Sequence, residues 1–149
     1  MAVDPHYEHV SGTEEKWRRV LPLVDAFLPS RDEATALLGG WPGAEGAARE
    51  LASWGARLAC VKLGAEGSIA YRDGEVVRMG VATSGLVDPT GCGDAFCGGF
   101  LVGLAESGDL RTALARGAVA ASFAGEGYGA EHALRPDCAE AQRRLSALL

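Results

Sequence analysis

The sequence has few basic residues and no long apolar segment. Lys and Arg number 14 against 20 Asp and Glu, and the formal net charge is −6 over 149 residues. This balance argues against a nucleic-acid partner, because phosphate backbones attract basic surfaces. No apolar run approaches the roughly 20 residues that span a bilayer, and the amino terminus lacks the basic and apolar parts of a signal peptide. These absences predict a soluble, cytoplasmic, globular chain with one domain.

The cysteines do not form a metal-binding or disulfide pattern. Cys60, Cys92, Cys97 and Cys138 contain no Cys-x-x-Cys pair, so reduced thiols are expected. Cys92 has two interpretations. A thiol at a helix start can have a lowered pKa and react with oxidants, whereas a small side chain that simply fits a turn is the plainer explanation.

A glycine-rich segment stands out in the second half of the chain: residues 87–100 read VDPTGCGDAFCGGF. This pattern predicts a tight turn followed by a helix whose first amides lack intrahelical acceptors and attract anions. Gly91 and Gly93 allow the backbone to bend and a ligand to approach closely. Because the helix dipole favours a carboxylate in the first turn, Asp94 is expected to accept a proton from a hydroxyl group held beside a phosphate.

Two other phosphate-binding loops are excluded by spacing. A Walker A loop requires Gly-Lys-Ser/Thr, and no lysine follows Gly91. The dinucleotide fingerprint requires a third glycine where Phe96 stands.

The rest of the chain alternates helical patterns with short apolar runs. Such alternation predicts an α/β fold with a mainly parallel sheet, flanking helices and a ligand at the carboxyl ends of the strands. The predicted strands are the end of a run at 3–4, then 24–28, 57–63, and a hairpin of 67–72 and 75–79 around Asp73-Gly74. The predicted helices are 13–21, 32–38, 44–54, 93–106, 110–123 and 137–148.

Residues 88–96 resemble the second signature of the PfkB (ribokinase-like) carbohydrate kinases, Asp-Thr-Thr-Gly-Ala-Gly-Asp-x-Phe, with two mild departures. The resemblance implies a ribokinase-like fold and phosphoryl transfer from ATP, with Mg²⁺, to a hydroxyl of a sugar or sugar-like substrate. It implies Asp94 as the general base and the amides of Gly91, Cys92 and Gly93 as an anion hole.

Further positions extend the resemblance. Ser30 and Glu33 fall where the family carries Asn-x-x-Glu, which implies that Glu33 helps to hold Mg²⁺, usually through water. The same two residues also form a capping-box pattern. Lys62, Gly64 and Gly67 resemble the strand and glycine turn beside the nucleotide, although a lone lysine is more often a solvated surface group.

The stretch Ala113 to Ala130 resembles the segment that lines the adenine-binding pocket in this family. Within it, Ala118 stands where many members have asparagine. Asp88 and Thr90 match positions that help to bind a monovalent cation, K⁺ in this hypothesis, in some relatives. Simple turn formation explains these two residues equally well.

The matched motifs all belong to the second half of the family pattern. Residues 1–149 are therefore expected to be the carboxyl-terminal, nucleotide-binding and catalytic portion of such a kinase domain, without the amino-terminal part and lid. A parallel sheet cut at that point leaves an unpaired edge. The sequence thus predicts either a longer protein or pairing with another chain, such as a homo-oligomer.

A second function stays open, that of a truncated, non-catalytic nucleotide-binding or interaction module derived from the family.

Overall fold

A computed structural model describes residues 1–82, 85–129 and 137–149. These residues form two compact units. The first unit comprises Met1–Gly64 and Ser68–Val77, and the second comprises Ala65–Gly67 and Arg78–Leu149.

The first unit alternates strands and helices. The strands are β1 (Ala2–Val3), β2 (Ala26–Phe27), β3 (Ala59–Lys62), β4 (Ser68–Arg72) and β5 (Glu75–Met79), the last of which continues into the second unit. The α-helices of this unit are α1 (Tyr7–Val10), α2 (Glu14–Val20), α3 (Arg31–Leu38) and α4 (Ala44–Ser53).

The five strands form one sheet in the order β1-β2-β3-β4-β5. β1, β2 and β3 are parallel to one another, and β4 runs antiparallel to β3. β2 and β3 consist almost entirely of buried apolar residues, as expected for parallel strands covered on both faces. Asp73 and Gly74 join β4 to β5 with φ values of 51° and 92°, which suits the two-residue turn of a hairpin.

The core of the first unit is made by helices that pack on the sheet. Trp17 of α2 lies against Phe27 of β2, with ring centroids 5.1 Å apart. Leu37 of α3 and Leu51 of α4 are almost fully buried in the same cluster. These helices therefore cover the short parallel strands with apolar side chains.

Most of the described residues of the second unit are helical. It contains α5 (Cys92–Ser107), α6 (Leu110–Gly125) and α7 (Cys138–Leu148). α5 and α6 approach closely, since a Cβ on Gly99 would lie only 2.6 Å from the Arg116 carbonyl oxygen. Arg144 of α7 lies 4.4 Å above the Phe123 ring of α6 and forms an ion pair with Glu126 at 2.8 Å.

The predicted α/β class is confirmed, and each predicted element appears with bounds within two residues of those expected. The four-residue helix α1 was not predicted, because one turn is too short to show a helical period.

Across the described ranges, none of the helices has the length and apolar character that crossing a membrane requires.

The burial of α5 yields a stability prediction. Phe100 is 0% exposed, whereas Val102 in the same helix is 52% exposed. Phe100→Ala should lower the free energy of unfolding by about 3–5 kcal/mol, through lost burial and a residual cavity. Val102→Ala should change it by less than about 0.5 kcal/mol. Urea denaturation of both variants measures the difference, and equal effects would contradict this packing.

Candidate active site

Gly91 fixes the turn that precedes α5. Its φ of 81° and ψ of −6° match the third position of a type II turn, which glycine adopts without strain. The Pro89 carbonyl, at the first position of this turn, accepts the Cys92 N–H at 3.1 Å. The chain reverses here and enters α5 at Cys92.

The first amides of α5 have few partners. The bond from the Ala95 N–H to the Gly91 carbonyl, at 2.9 Å, closes the first turn of the helix. Within residues 1–82, 85–129 and 137–149, the N–H groups of Gly91, Gly93 and Asp94 have no acceptor. The sequence led us to expect Gly91, Cys92 and Gly93 in this role, and the structure differs at Cys92, because the turn uses its N–H. Unsatisfied amides at a helix start attract anions.

Asp94 is the third residue of α5 and is exposed. In the described part of the chain its carboxylate makes neither a hydrogen bond nor an ion pair. A negative charge here is favoured by the positive end of the helix dipole. The predicted role of Asp94 as a general base stays a prediction.

The Asp88 carboxylate contacts two segments of the second unit. Its Oδ1 accepts the Thr90 N–H at 2.9 Å and the Thr90 hydroxyl at 2.7 Å. Its Oδ2 accepts the Gly129 N–H at 2.9 Å. The bond from Gly129, followed by those from Thr90, lowers the pKa of Asp88. This geometry supports the turn-forming role of Asp88 and Thr90, and their cation-binding role stays a prediction.

The last residue of α6 makes a second connection to the same loop. The Gly125 carbonyl accepts the N–H groups of Val87 at 2.7 Å and Asp88 at 3.2 Å. A Cβ on Gly125 would lie 2.7 Å from Leu86 Cδ1 and 3.1 Å from Cys92 Sγ. Burial, followed by the nearby Asp88 charge, raises the pKa of the Cys92 thiol. The structure thus favours the small-side-chain interpretation of Cys92 over a reactive thiol of lowered pKa.

Ala118 lies on α6 and is 7% exposed. Its methyl group offers no hydrogen-bonding atom, so a side-chain bond to a base is not available at this position. The preceding Gly117 packs under α5, with its Cβ position 2.9 Å from the Phe96 ring. The predicted role of Ala118 beside a nucleotide stays a prediction, and Ala130, the end of that predicted segment, lies outside the described residues.

In the first unit, an ion pair joins two strands at their carboxyl ends. Lys62 Nζ donates to the two Asp4 carboxylate oxygens at 2.6 Å and 2.7 Å, and the side chains are 15% and 28% exposed respectively. The Lys62 N–H also donates to the Pro29 carbonyl at 2.9 Å. The pair therefore links β1 to β3 across the end of β2. Lys62 is therefore not a solvated surface group, and its predicted role beside a nucleotide stays a prediction.

Ser30 and Glu33 form the predicted capping box at the start of α3. Ser30 Oγ accepts the Glu33 N–H at 3.3 Å, and Glu33 Oε2 accepts the Ser30 N–H at 2.6 Å. Glu33 Oε1 is the oxygen that the box does not use. An open cavity of about 610 Å³ lies beside the box and is lined by Tyr7, Ser30, Asp32, Glu33, Thr35 and Ala36.

The two glycines of the turn after β3 differ in their surroundings. Gly64 has a φ of 62°, and no described atom lies within 4 Å of its Cβ position. A Cβ on Gly67 would lie 2.0 Å from the Met79 carbonyl oxygen. The close approach at Gly67 is therefore to the chain's own backbone, while Gly64 leaves open space.

Sequence reasoning missed the partners of two site residues. Asp4 was not assigned to Lys62, and Gly129 was not assigned to Asp88, which is 41 residues away. No local pattern encodes such contacts. Asp4 and Lys62 both lie at the carboxyl ends of parallel strands, and this common position was the one available signal.

Comparison with known proteins decides the family. The model of the pfkB family carbohydrate kinases matches residues 1–137. The chain belongs to the PfkB family of carbohydrate kinases. It is 36% identical over 131 residues to an uncharacterized sugar kinase of Archaeoglobus fulgidus, covering 87% of this chain and 50% of that protein. It is 36% identical over 96 residues to the cytidine kinase of Thermococcus kodakarensis, covering 62% and 34% respectively.

The solved structures agree with this family. A fructokinase from Vibrio cholerae, crystallised with fructose, ADP and a calcium ion, superposes with a TM-score of 0.80 at 26% identity. The match covers 97% of this chain and 50% of that one. The predicted ribokinase-like fold is thus confirmed. The chain spans about a third to a half of the length of the curated relatives it matches.

The surroundings of the thiols predict their order of alkylation. Cys138 is exposed, whereas Cys92 is partly buried and has a raised pKa. Because the thiolate is the reacting form, iodoacetamide at pH 8 should label Cys138 first, and Cys92 more slowly in the folded chain than in urea. Peptide mass spectrometry over a time course measures both rates. Faster labelling of Cys92 in the folded chain would show that its thiol is activated.

Proposed function

We propose that residues 1–149 form the nucleotide-binding and catalytic half of a kinase that phosphorylates a hydroxyl group of a sugar or sugar-like substrate, with ATP as donor. The observation that carries the proposal is the start of α5. Three amides without acceptors in the described residues, those of Gly91, Gly93 and Asp94, accompany an exposed carboxylate that likewise has no described partner. The membership of the PfkB family supports the same chemistry.

The reaction follows from these groups. The acceptor hydroxyl loses its proton to the Asp94 carboxylate as its oxygen forms a bond to the γ-phosphorus. The bond from that phosphorus to the β,γ-bridging oxygen breaks, and ADP leaves with the electron pair. The N–H groups of Gly91 and Gly93 stabilise charge on the γ-phosphoryl oxygens. The Cys92 N–H contributes in the same way once its hydrogen bond to the Pro89 carbonyl is broken.

Magnesium belongs to the proposal through the nucleotide. Among the described residues, no group of three or more His, Cys, Asp or Glu side chains is arranged to hold a metal ion. Mg²⁺ in kinases is commonly bound by substrate phosphates and water with one or two carboxylates, and Glu33 Oε1 fits that limited role. When bound, the ion would neutralise phosphate charge.

The other assignments remain parts of the same proposal. Gly64, Gly67, Lys62 and Ala118 are assigned to the nucleotide, of which Gly64 has the open surroundings that a close ligand requires. K⁺ binding at Asp88 and Thr90, the homo-oligomer or longer protein, and the cytoplasmic location also stay predictions.

Asp94→Asn tests the general base. The amide cannot accept the proton, so phosphoryl transfer should fall by a factor on the order of 10² to 10⁴ while ATP binding is retained. Transfer is measured with γ-labelled ATP and a panel of sugars and nucleosides, and binding by calorimetry. A matched control is Asp109→Asn at the start of α6, where the Asp109 side chain caps its own helix by accepting the Thr112 N–H at 2.7 Å.

The controls separate the alternatives. Near-native transfer by the Asp94→Asn variant would remove Asp94 from the mechanism. Binding of ATP by the unmodified chain without transfer to any acceptor would support the non-catalytic module instead.

Gly91→Val tests the anion site separately. A β-branched residue is strained at a φ of 81° and places methyl groups where the phosphate is proposed to lie. ATP affinity should fall at least about tenfold, a change of about 1.4 kcal/mol in binding free energy. Gly108→Val at the end of α5, where φ is 67°, carries the same backbone strain and should leave ATP affinity unchanged. Equal losses for both variants would point to misfolding rather than to a phosphate site.

A further inference from the structure

We infer that Asp88 is a positioning residue whose carboxylate couples the turn before α5 to the segment that follows α6. The two oxygens of this one carboxylate serve different segments. Oδ1 accepts two bonds from Thr90, at 2.9 Å and 2.7 Å, and Oδ2 accepts one from Gly129 at 2.9 Å. A change in either segment is therefore transmitted to the other through a rigid planar group.

The backbone on which this carboxylate is carried is itself held in place. The Gly125 carbonyl accepts the N–H groups of both Val87 and Asp88, at 2.7 Å and 3.2 Å. The Cα of Asp88 is thereby tied to the end of α6, and only side-chain rotation remains to orient the carboxylate. A single orientation must satisfy Thr90 and Gly129 together, so loss of either partner weakens the bond to the other.

The coupling has a direct consequence for the proposed phosphate site. Thr90 immediately precedes Gly91, whose N–H is one of the three without an acceptor in the described residues. Asp88 itself donates nothing to a phosphate, since a carboxylate is an acceptor only. Its influence on a nucleotide is therefore indirect, and this part of the inference rests on the proposed function.

Asp88→Asn is the first test. The asparagine oxygen can still accept from Thr90, but its NH₂ group cannot accept the Gly129 N–H. In ¹⁵N-labelled protein, amide hydrogen exchange at Gly129 should accelerate at least about tenfold, and ATP should bind roughly tenfold more weakly, in line with about 1.4 kcal/mol of binding free energy. Asp109→Asn makes the same chemical change at the N-cap of α6 in the same unit, where the asparagine oxygen can still accept the Thr112 N–H, and it should change neither quantity.

Thr90 variants test the coupling itself. Thr90→Val removes the hydroxyl that donates to Oδ1 and touches no bond of Gly129, yet exchange at Gly129 should accelerate several-fold. Thr90→Ser restores the hydroxyl and should return exchange at Gly129 to its original rate. A purely local role of Thr90 would leave Gly129 unaffected in both variants.

The outcomes discriminate between the two proposals. Unchanged exchange at Gly129 in the Asp88→Asn and Thr90→Val variants, or an equal acceleration in the Asp109→Asn variant, overturns the coupling. Failure of the unmodified chain to bind ATP overturns the proposed function, and the exchange measurements then still decide the coupling. Native ATP affinity in the Asp88→Asn variant, with accelerated exchange, overturns the influence of the coupling on the nucleotide. Tightening of ATP binding by K⁺ that requires Asp88 would identify the residue as a cation ligand instead.

Discussion

A helix cannot satisfy its own first amides, and the site described here depends on that constraint. At the start of α5 the chain leaves most of these donors without a capping side chain, since Gly91 caps the helix by backbone conformation alone. α3 shows the other solution, because Ser30 and Glu33 satisfy its first amides reciprocally. The start of α3 is thus capped by side chains, whereas the start of α5 has no side-chain cap and is accessible to an anion.

Glycine at several positions makes that open helix start compatible with a packed fold. Gly91 supplies the left-handed conformation of the turn, and Gly125 lets the loop before α5 lie directly on the end of α6. Gly67 likewise lacks the Cβ that would collide with the Met79 carbonyl oxygen. A side chain at Gly67 or Gly125 would collide with the atoms now packed there, so glycine is required at both positions.

Much of the fold could be predicted from local pattern, because helix period, capping residues and the Asp73-Gly74 turn are encoded within a few neighbouring residues. The predicted turn and helix of the candidate site are present in the structure. What could not be predicted are contacts between distant residues. The pairing of Lys62 with Asp4 and of Gly129 with Asp88 follows from strand and helix placement, which no single segment specifies.

α5 and α6 meet at glycines, since Gly99 lies against the Arg116 carbonyl and Gly117 lies against the Phe96 ring. A side chain at Gly99 would therefore force the two helices apart. Glycine is the one residue that fits at this point without a shift of the backbone. The loop before α5, whose Val87 and Asp88 N–H groups bind the Gly125 carbonyl at the end of α6, takes its position from the spacing of these two helices.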